Sequence, residues 1–361
     1  MECVPEPVAS SPGLPSGGTP AAGAAGPLRP DRWPAWAGVL LAPSAAVVRR
    51  WALAGVVVSA LIILTGAAVR LSQSGLGCPD WPACTANSVA ASGATGDTLI
   101  HRWIEFGNRL VTVAIFVVAI GVFIAGCRFR PPGGGRRRDV IWLAAAQPVA
   151  IVIQAGLGGL VVRTKLNPAL VSVHFLASVA LVAATVGLYI RCQESTGQPA
   201  PFVPRTVRLA AIGIVGTIAL MMAAGTVVTG TGPLAGAADV PRYHLPLEGV
   251  TQLHADIGWL LAGLMVALLL GLRLTAAPAK AVRLGWLLLG LIGLQGVIGY
   301  TQYFTGLPAG LVWCHVAGSL AIWITALLLP YALRDRGSVT APDALRPHAA
   351  PQATTAPAEA G

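Results

Sequence analysis

The stretch 103-WIEFGNRLVTVAIFVVAIGVFIAG-126 decides the fold class of this chain. Apart from Glu105, Asn108 and Arg109 it carries almost no polar side chain, and as a helix it is long enough to cross a hydrocarbon core of ~30 Å. Apolar runs of this kind recur at about 51–69, 103–126, 140–162, 170–190, 209–229, 254–274, 284–303 and 311–331. The sequence therefore predicts an all-α polytopic membrane protein with eight transmembrane helices.

The composition and the placement of charge support this prediction. Only 11% of the residues are charged, whereas soluble domains carry about 25%. If the N-terminus is cytoplasmic, 18 of the 24 Lys and Arg residues fall in segments on the cytoplasmic side, which is the positive-inside pattern. The net charge of +10 thus indicates topology, with both termini cytoplasmic, and membrane lipid as a partner. It does not indicate binding to nucleic acid.

The chain divides into two tails and two halves. Residues 1–48 and 334–361 are rich in Ala, Pro, Gly and Ser, which predicts disordered cytoplasmic tails. The N-terminal half, 49–195, and the C-terminal half, 205–333, each hold four predicted spans. The sequence therefore predicts two domains of four helices each.

The two halves also resemble each other in sequence. The segment 154-QAGLGGLVVRTKLNPALVSVH-174 matches 295-QGVIGYTQYFTGLPAGLVWCH-315, with Gln and His 20 residues apart in both. At the end of the first span, 65-TGAAVRLSQSG-75 matches 224-AGTVVTGTGPL-234. The polar residues of the two halves keep the same spacing. This favours two repeated four-helix bundles over chance similarity between apolar helices.

Four histidines lie at the beginnings of the even-numbered spans, namely His101, His174, His254 and His315. Even spans run in the same direction, so these residues share one depth in the membrane. Ionisable groups are costly there and usually have a function, and two imidazoles on facing helices of a bundle can ligate haem iron. Zinc is less suitable, because it needs four converging ligands. Hydrogen bonding between helices is the structural alternative.

Three features together resemble the haem A synthase family. They are the loop 70-RLSQSGLGCPDWPAC-84, the segment 104-IEFGNR-109, and the histidines at the heads of spans four, six and eight. The resemblance covers about residues 50–331. It implies an enzyme that oxidises the C8 methyl group of haem O to a formyl group by successive hydroxylations, giving haem A for terminal oxidase assembly.

The resemblance also implies roles for individual residues. His254 and His315 would ligate a haem B cofactor in the C-terminal half. In the N-terminal half, His174 would ligate the substrate haem and Glu105 would be the catalytic carboxylate, acting as a base or as an electrostatic partner. An ion pair with Arg109, one helical turn away, that serves only to neutralise charge is the alternative for Glu105.

Asn108 departs from the pattern of that family, which has His three residues after the Glu and before the Arg. The first half therefore lacks its usual second imidazole. His101 lies seven residues earlier on the same helical face, but about 10 Å further out at 1.5 Å per residue. Either His101 is the second ligand, or His174 is the only imidazole ligand and one iron position is open.

Three residues of the first half complete the candidate site. Arg70, at the end of the first span, is a partner for a haem propionate or an interfacial anchor. Cys78 and Cys84 lie in a loop on the predicted outer side, an oxidising compartment, which favours a disulfide. Metal binding by this pair is less favoured, because two further ligands are not evident nearby.

The leading interpretation is thus a haem A synthase in the bacterial plasma membrane. A di-haem cytochrome for electron transfer and a haem transporter or chaperone are the alternatives. The candidate partners are haem O, haem O synthase, membrane lipid and a second copy of the chain.

Overall fold

The computed structural model describes residues 43–91, 96–131 and 134–339. Within these ranges it contains eight long helices and one pair of short strands: α1 Ala45–Leu71, α2 Asp97–Arg128, α3 Arg138–Arg163, α4 Pro168–Arg191, β1 Ala200–Pro201, α5 Arg205–Thr231, α6 Leu247–Leu274, α7 Ala279–Phe304, α8 Ala309–Ala332 and β2 Arg334–Asp335. Each helix is long and apolar enough to cross a membrane. The prediction of an all-α protein with eight membrane-spanning helices is confirmed.

The helices extend beyond the apolar runs from which they were predicted. The first helix begins at Ala45, where the side chain of Ser44 accepts a hydrogen bond from the N–H of Val47. Its first residues were predicted to belong to the disordered tail 1–48, so that boundary is wrong by four residues. A helix can continue past the hydrocarbon core because its backbone hydrogen bonds are internal, whatever the polarity of its side chains. Residues 1–42 and 340–361 lie outside the described residues.

Helix packing divides the eight helices into two sets of four. In the first set α1 packs on α2, α2 on α3, α3 on α4, and α4 back on α1. In the second set α5, α6, α7 and α8 follow the same order and α8 packs back on α5. The sets meet where α4 contacts α5 and where α8 contacts α1 and α4.

Two indole groups of α8 form hydrogen bonds across the boundary between the sets. The Nε1–H of Trp313 donates to the carbonyl of Leu64 in α1 at 3.1 Å, and that of Trp323 donates to the carbonyl of Val179 in α4 at 3.0 Å. Trp323 is 5% exposed, and a buried indole N–H usually finds a partner. These bonds fix α8 against the first set.

The connections before α4 and α8 use the same turn. Leu166 has a φ of 59° and Leu307 a φ of 60°, in the left-handed region that closes a helix. The N–H of Leu166 donates to the carbonyl of Val161, and that of Leu307 donates to the carbonyl of Gln302, at 2.9 and 2.8 Å. Both helices that follow therefore begin at corresponding places in the two segments that match in sequence.

Residues 334–339, directly after α8, are ordered, contrary to the prediction of a disordered tail from residue 334 onward. Strand β2 pairs antiparallel with β1, and Arg334 forms an ion pair with Glu194 at 3.0 Å. The N–H of Ser195 donates to the carbonyl of Gly337 at 2.9 Å, and that of Val339 donates to Gln193 at 3.0 Å. These bonds link the end of the second set to the connection between the sets.

An ion cluster lies beside this strand pair. Asp139, in the first turn of α3, pairs with Arg137 at 2.9 Å and with Arg191 of α4 at 2.6 Å, and Arg191 also pairs with Glu194. The side chain of Arg137 is 2% exposed and donates to the carbonyls of Glu194 and Arg191. Because the buried guanidinium has several acceptors, its charge is compensated.

Candidate functional site

The second set of helices contains a pair of facing imidazoles. His254 lies near the start of α6 and His315 near the start of α8, and their ring centroids are 6.2 Å apart with the planes at 65°. With metal–nitrogen bonds of about 2.0 Å and a nitrogen roughly 1.1 Å from its ring centre, two imidazoles on opposite sides of one metal ion have centroids about 6 Å apart. The separation thus fits axial ligation of a haem iron by both rings.

A glycine on the preceding helix lies against each of these rings. A Cβ atom added to Gly225 of α5 would lie 3.2 Å from Cε1 of His254, and one added to Gly299 of α7 would lie 3.4 Å from Cε1 of His315. The Nδ1 of His315 is buried without a hydrogen-bond partner among the described residues. The ring of His254 approaches the backbone of Met221, although its Nδ1 does not reach hydrogen-bond geometry. Such rings fit the donor set of a haem site.

His174 has a corresponding environment in the first set. Helix α4 begins at Pro168 after Asn167, whose side chain accepts hydrogen bonds from the N–H groups of Ala169 and Leu170 and so caps the helix. A Cβ atom added to Gly158 of α3 would lie 3.5 Å from Cε1 of His174. The Nδ1 of this ring is also buried without a partner in the described part of the chain. The first set thus offers one imidazole in the same setting.

Asn108 occupies the position in α2 that corresponds to His254 in α6 when the two halves are aligned. Its Oδ1 atom is buried and accepts no hydrogen bond from any described residue. Gly66 of α1 corresponds to Gly225, but a Cβ atom added there would meet nothing within 4 Å. The first set therefore has space and a carboxamide where the second has an imidazole against a glycine.

Glu105 is buried one helical turn before Arg109, with 6% of its surface exposed. Its Oε1 accepts a hydrogen bond from Nη2 of Arg109 at 2.8 Å, and its Oε2 accepts one from the N–H of Cys78 at 2.7 Å. The ion pair considered as the alternative role for Glu105 is thus present. The carboxylate also reaches the loop between α1 and α2, which the sequence did not indicate.

The side chain of Arg109 holds that loop by hydrogen bonds to main-chain carbonyls of the loop. Its guanidinium donates to the carbonyls of Cys78, Asp80 and Ala83, each at 3.0 Å. Cys78 and Cys84 are joined by a disulfide, as predicted, with an S–S distance of 2.00 Å, and both are fully buried. We call residues 78–84 the disulfide loop.

The ring of Trp81 anchors the disulfide loop on α3. A Cβ atom added to Gly159 would lie 2.5 Å from Cδ2 of this ring, so only glycine permits the contact. Gly159 directly follows Gly158, which lies against His174. The loop therefore covers the end of the first set at which His174 lies.

The structure places His101 and Arg70 beside the same loops. Nδ1 of His101 lies 2.7 Å from Oγ of Ser74, which is fully buried. His101 lines a crevice of about 290 Å³ together with Gln73, Leu76, Gly77, Pro79, Thr98, Arg102 and Ala237. Nε of Arg70 is buried and has no hydrogen-bond partner among the described residues. One nitrogen of His101 is thus engaged by the loop, whereas Arg70 retains donors for an anionic group.

The connections at this end of the two sets also contact each other. The N–H of Gly75 donates to the carbonyl of Gly236 at 3.0 Å, and Leu166 packs with Ala235 and Val240. None of these contacts was evident from the sequence, because they join main-chain atoms and small apolar side chains. They join the connections that follow α1 and α3 to the loop between α5 and α6.

Comparison with known proteins agrees with this arrangement. The profile of the COX15-CtaA family, described as cytochrome oxidase assembly protein, matches residues 49–327. The chain is 23% identical over 333 residues to a heme A synthase of Shewanella oneidensis, covering 78% of this chain and 94% of that protein.

Two shorter alignments involve heme A synthases of other bacteria. The identity is 31% over 116 residues for Bacillus cereus, covering 32% of this chain and 34% of the relative. It is 33% over 131 residues for Lysinibacillus sphaericus, covering 35% of this chain and 39% of the relative. Because the family profile extends over most of the chain, from α1 into α8, this chain belongs to the COX15-CtaA family of cytochrome oxidase assembly proteins.

Proposed function

We propose that the chain is a haem A synthase, which oxidises the C8 methyl group of haem O to a formyl group and so supplies haem A for assembly of a terminal oxidase. Family membership and the names of its relatives support this function. The observation that carries the proposal is the difference between the two sets of helices. One has a matched imidazole pair, whereas the other has a single such imidazole and a buried carboxylate.

The second set is the cofactor half of this proposal. His254 and His315 hold a haem B between α6 and α8, and the 6.2 Å separation of their rings supports that assignment. A haem bound in this way supplies one-electron acceptance and donation. A glycine lies against each of the two rings, and at Gly225 a Cβ atom would lie only 3.2 Å from the ring of His254.

The first set is the substrate half, with His174 as the iron ligand for haem O. A carboxylate has about four lone-pair positions, and Glu105 uses one for Arg109 and one for the N–H of Cys78. The remaining positions are available to accept a proton from the substrate or to stabilise positive charge on it. Arg109 pairs with the carboxylate and orients it, and Arg70 binds a propionate.

We propose further that the enzyme lies in the bacterial plasma membrane with both termini in the cytoplasm. The excess of Lys and Arg on one side of the predicted spans supports this orientation. It puts the disulfide loop on the opposite, oxidising side. The ion cluster of Arg137 and Asp139 then lies at the cytoplasmic end.

The electron-transfer alternative is less well supported by the geometry. A di-haem cytochrome needs two complete pairs of axial ligands, and the first set has Asn108 where the second has His254. A transporter or chaperone has no need of a buried carboxylate fixed by two hydrogen bonds. Both alternatives predict that the haem composition of the cell does not depend on this chain.

Haem extraction tests the proposal directly. The chain is expressed in a bacterium that makes haem O and lacks its own haem A synthase, and the extracted haems are separated by chromatography. Haem A is expected to appear as haem O falls. Its absence from membranes that contain the folded, haem-binding chain would refute the synthase function.

Glu105→Gln tests the catalytic carboxylate in the same cells. The variant is expected to keep the absorption spectrum of the second-half haem and to lose haem A formation. Glu248→Gln is the matched control, because Glu248 is exposed at the start of α6. Undiminished haem A formation by Glu105→Gln would assign Glu105 a purely structural role.

A further inference from the structure

The two halves together contain four corresponding pairs of positions, each with a glycine on an odd-numbered helix and a polar residue on the next helix. In three pairs the polar residue is a histidine and the glycine lies against its ring. A Cβ atom on the glycine would lie 3.2 to 3.5 Å from Cε1 of that ring. These three pairs are Gly158 with His174, Gly225 with His254, and Gly299 with His315.

The fourth pair, Gly66 with Asn108, departs from this pattern in both members. An asparagine side chain is shorter than a histidine side chain, and nothing lies within 4 Å of a Cβ atom built on Gly66. The Oδ1 of Asn108 is buried without a hydrogen-bond donor among the described residues. Glycine is present here without a ring to accommodate, so the fourth pair lacks the packing that the other three share.

Asparagine and histidine side chains also differ in their chemistry. A neutral imidazole is a good ligand for iron, whereas amide oxygens suit harder cations. Asn108 is therefore not a substitute ligand for His. Its carboxamide offers two N–H donors and one oxygen acceptor, which suits hydrogen bonding to a small molecule more than coordination of a metal.

His101 does not fill this gap in the structure. Its Nδ1 lies 2.7 Å from Oγ of Ser74, and its ring lines the crevice formed by the loop residues Gln73, Leu76 and Gly77. Seven residues of helix separate it from Asn108, which corresponds to about 10 Å along the helix axis. The first set thus provides one imidazole in the glycine-backed setting, His174.

We propose that Asn108 and Gly66 leave one axial position of the first-half haem iron without a protein ligand, open to a small neutral exogenous molecule that the Asn108 carboxamide can hydrogen-bond. The proposal rests on the proposed function only in that the first set binds a haem through His174. The second set differs in its proposed iron ligation, because His254 and His315 would occupy both axial positions of its haem iron.

Binding of carbon monoxide separates an open iron from a closed one. The full-length protein is purified in detergent with the haem that it acquires during expression, reduced, and titrated with carbon monoxide while the absorption spectrum is recorded. First-half haem is defined as the haem lost in His174→Ala. Wild-type protein is expected to bind one carbon monoxide per first-half haem, and the second-half haem is expected to bind none.

Two variants at position 108 test the cause. Asn108→His should restore the pattern of the other three pairs, and we expect loss of carbon monoxide binding and a low-spin first-half haem. Asn108→Gln is the matched control, because it keeps a carboxamide, and it should retain binding. The spectrum of the second-half haem reports in each variant that the protein is folded.

Each contrary result has a distinct meaning. A His174-dependent haem that binds no carbon monoxide in the wild type overturns the open position and leaves the synthase function standing. Binding that appears only in His101→Ala also overturns it and assigns the second axial ligand to His101. If His174→Ala removes no haem, both this inference and the proposed substrate site in the first set are wrong.

Discussion

Replacing Arg109 with Lys is expected to expose the disulfide of the loop that covers the first set. The guanidinium donates to three loop carbonyls at 3.0 Å, to a fourth, that of Pro82, at 3.5 Å, and to Glu105. Lysine keeps the charge and the pairing with Glu105, but its compact ammonium cannot span the same acceptors. At about 1.5 kcal/mol for each hydrogen bond from a charged donor, loss of two carbonyl contacts favours loop opening by about 3 kcal/mol.

Reduction of the disulfide measures this opening. Cys78 and Cys84 are both 0% exposed, so a water-soluble phosphine must wait for the loop to open. A change of 3 kcal/mol corresponds to a rate increase of roughly 100-fold, since about 1.4 kcal/mol is a factor of ten. The rate is followed by alkylation of the released thiols and mass spectrometry of the loop peptide.

The control and the refuting result follow from the same contacts. Arg163→Lys makes the same change at an exposed position of α3 and should leave the reduction rate unchanged. If the disulfide of the Arg109→Lys variant is reduced at a rate within threefold of the wild-type rate, the carbonyl contacts do not hold the loop closed. The anchoring would then have to come from Trp81 on Gly159.

Two further changes test other parts of the structure. Gly299→Val should lower the content of second-half haem severalfold, because a Cβ atom at this position would already be in contact with His315 at 3.4 Å and valine adds two methyl groups to it. Gly296→Ala, where a Cβ atom meets nothing within 4 Å, should leave the haem content unchanged. Equal haem content in the two variants would contradict this account. Burial raises the pKa of the Cys192 thiol to about 12, so this thiol should stay protonated and resist maleimide at pH 8 in the folded protein. Labelling should appear on denaturation, where an ordinary thiol pKa of about 8.5 applies, and rapid labelling of the native protein would show that the site is open to solvent.

Much of the fold could be predicted because the membrane imposes it. A run such as 103–126 has only one stable conformation in hydrocarbon, so its composition reveals both the helix and its approximate length. The ordered segment 334–339 could not be predicted in this way. Its order depends on Arg334 meeting Glu194, two residues far apart in sequence, and the composition of the segment is that of a flexible tail.

The candidate site could likewise be predicted from the sequence only in part. The four-residue spacing indicated that Glu105 and Arg109 can pair, and the structure contains that pair. The sequence could not show that Arg109 also holds the disulfide loop, because main-chain carbonyls carry no sequence signature. Gly158 and Gly299 stand at matching positions of the two repeated segments, but their place against His174 and His315 depends on the rotation of each helix about its axis.

The contacts between the two sets of helices limit how the protein can move. Trp313 and Trp323 bond across the seam within the membrane, Gly75 bonds to Gly236 at one end, and Arg334 pairs with Glu194 at the other. Contacts at both ends and within the membrane oppose rotation of one half relative to the other. Under the proposed function, a haem that enters or leaves the first set would therefore pass between helices, with local displacement of side chains and loops.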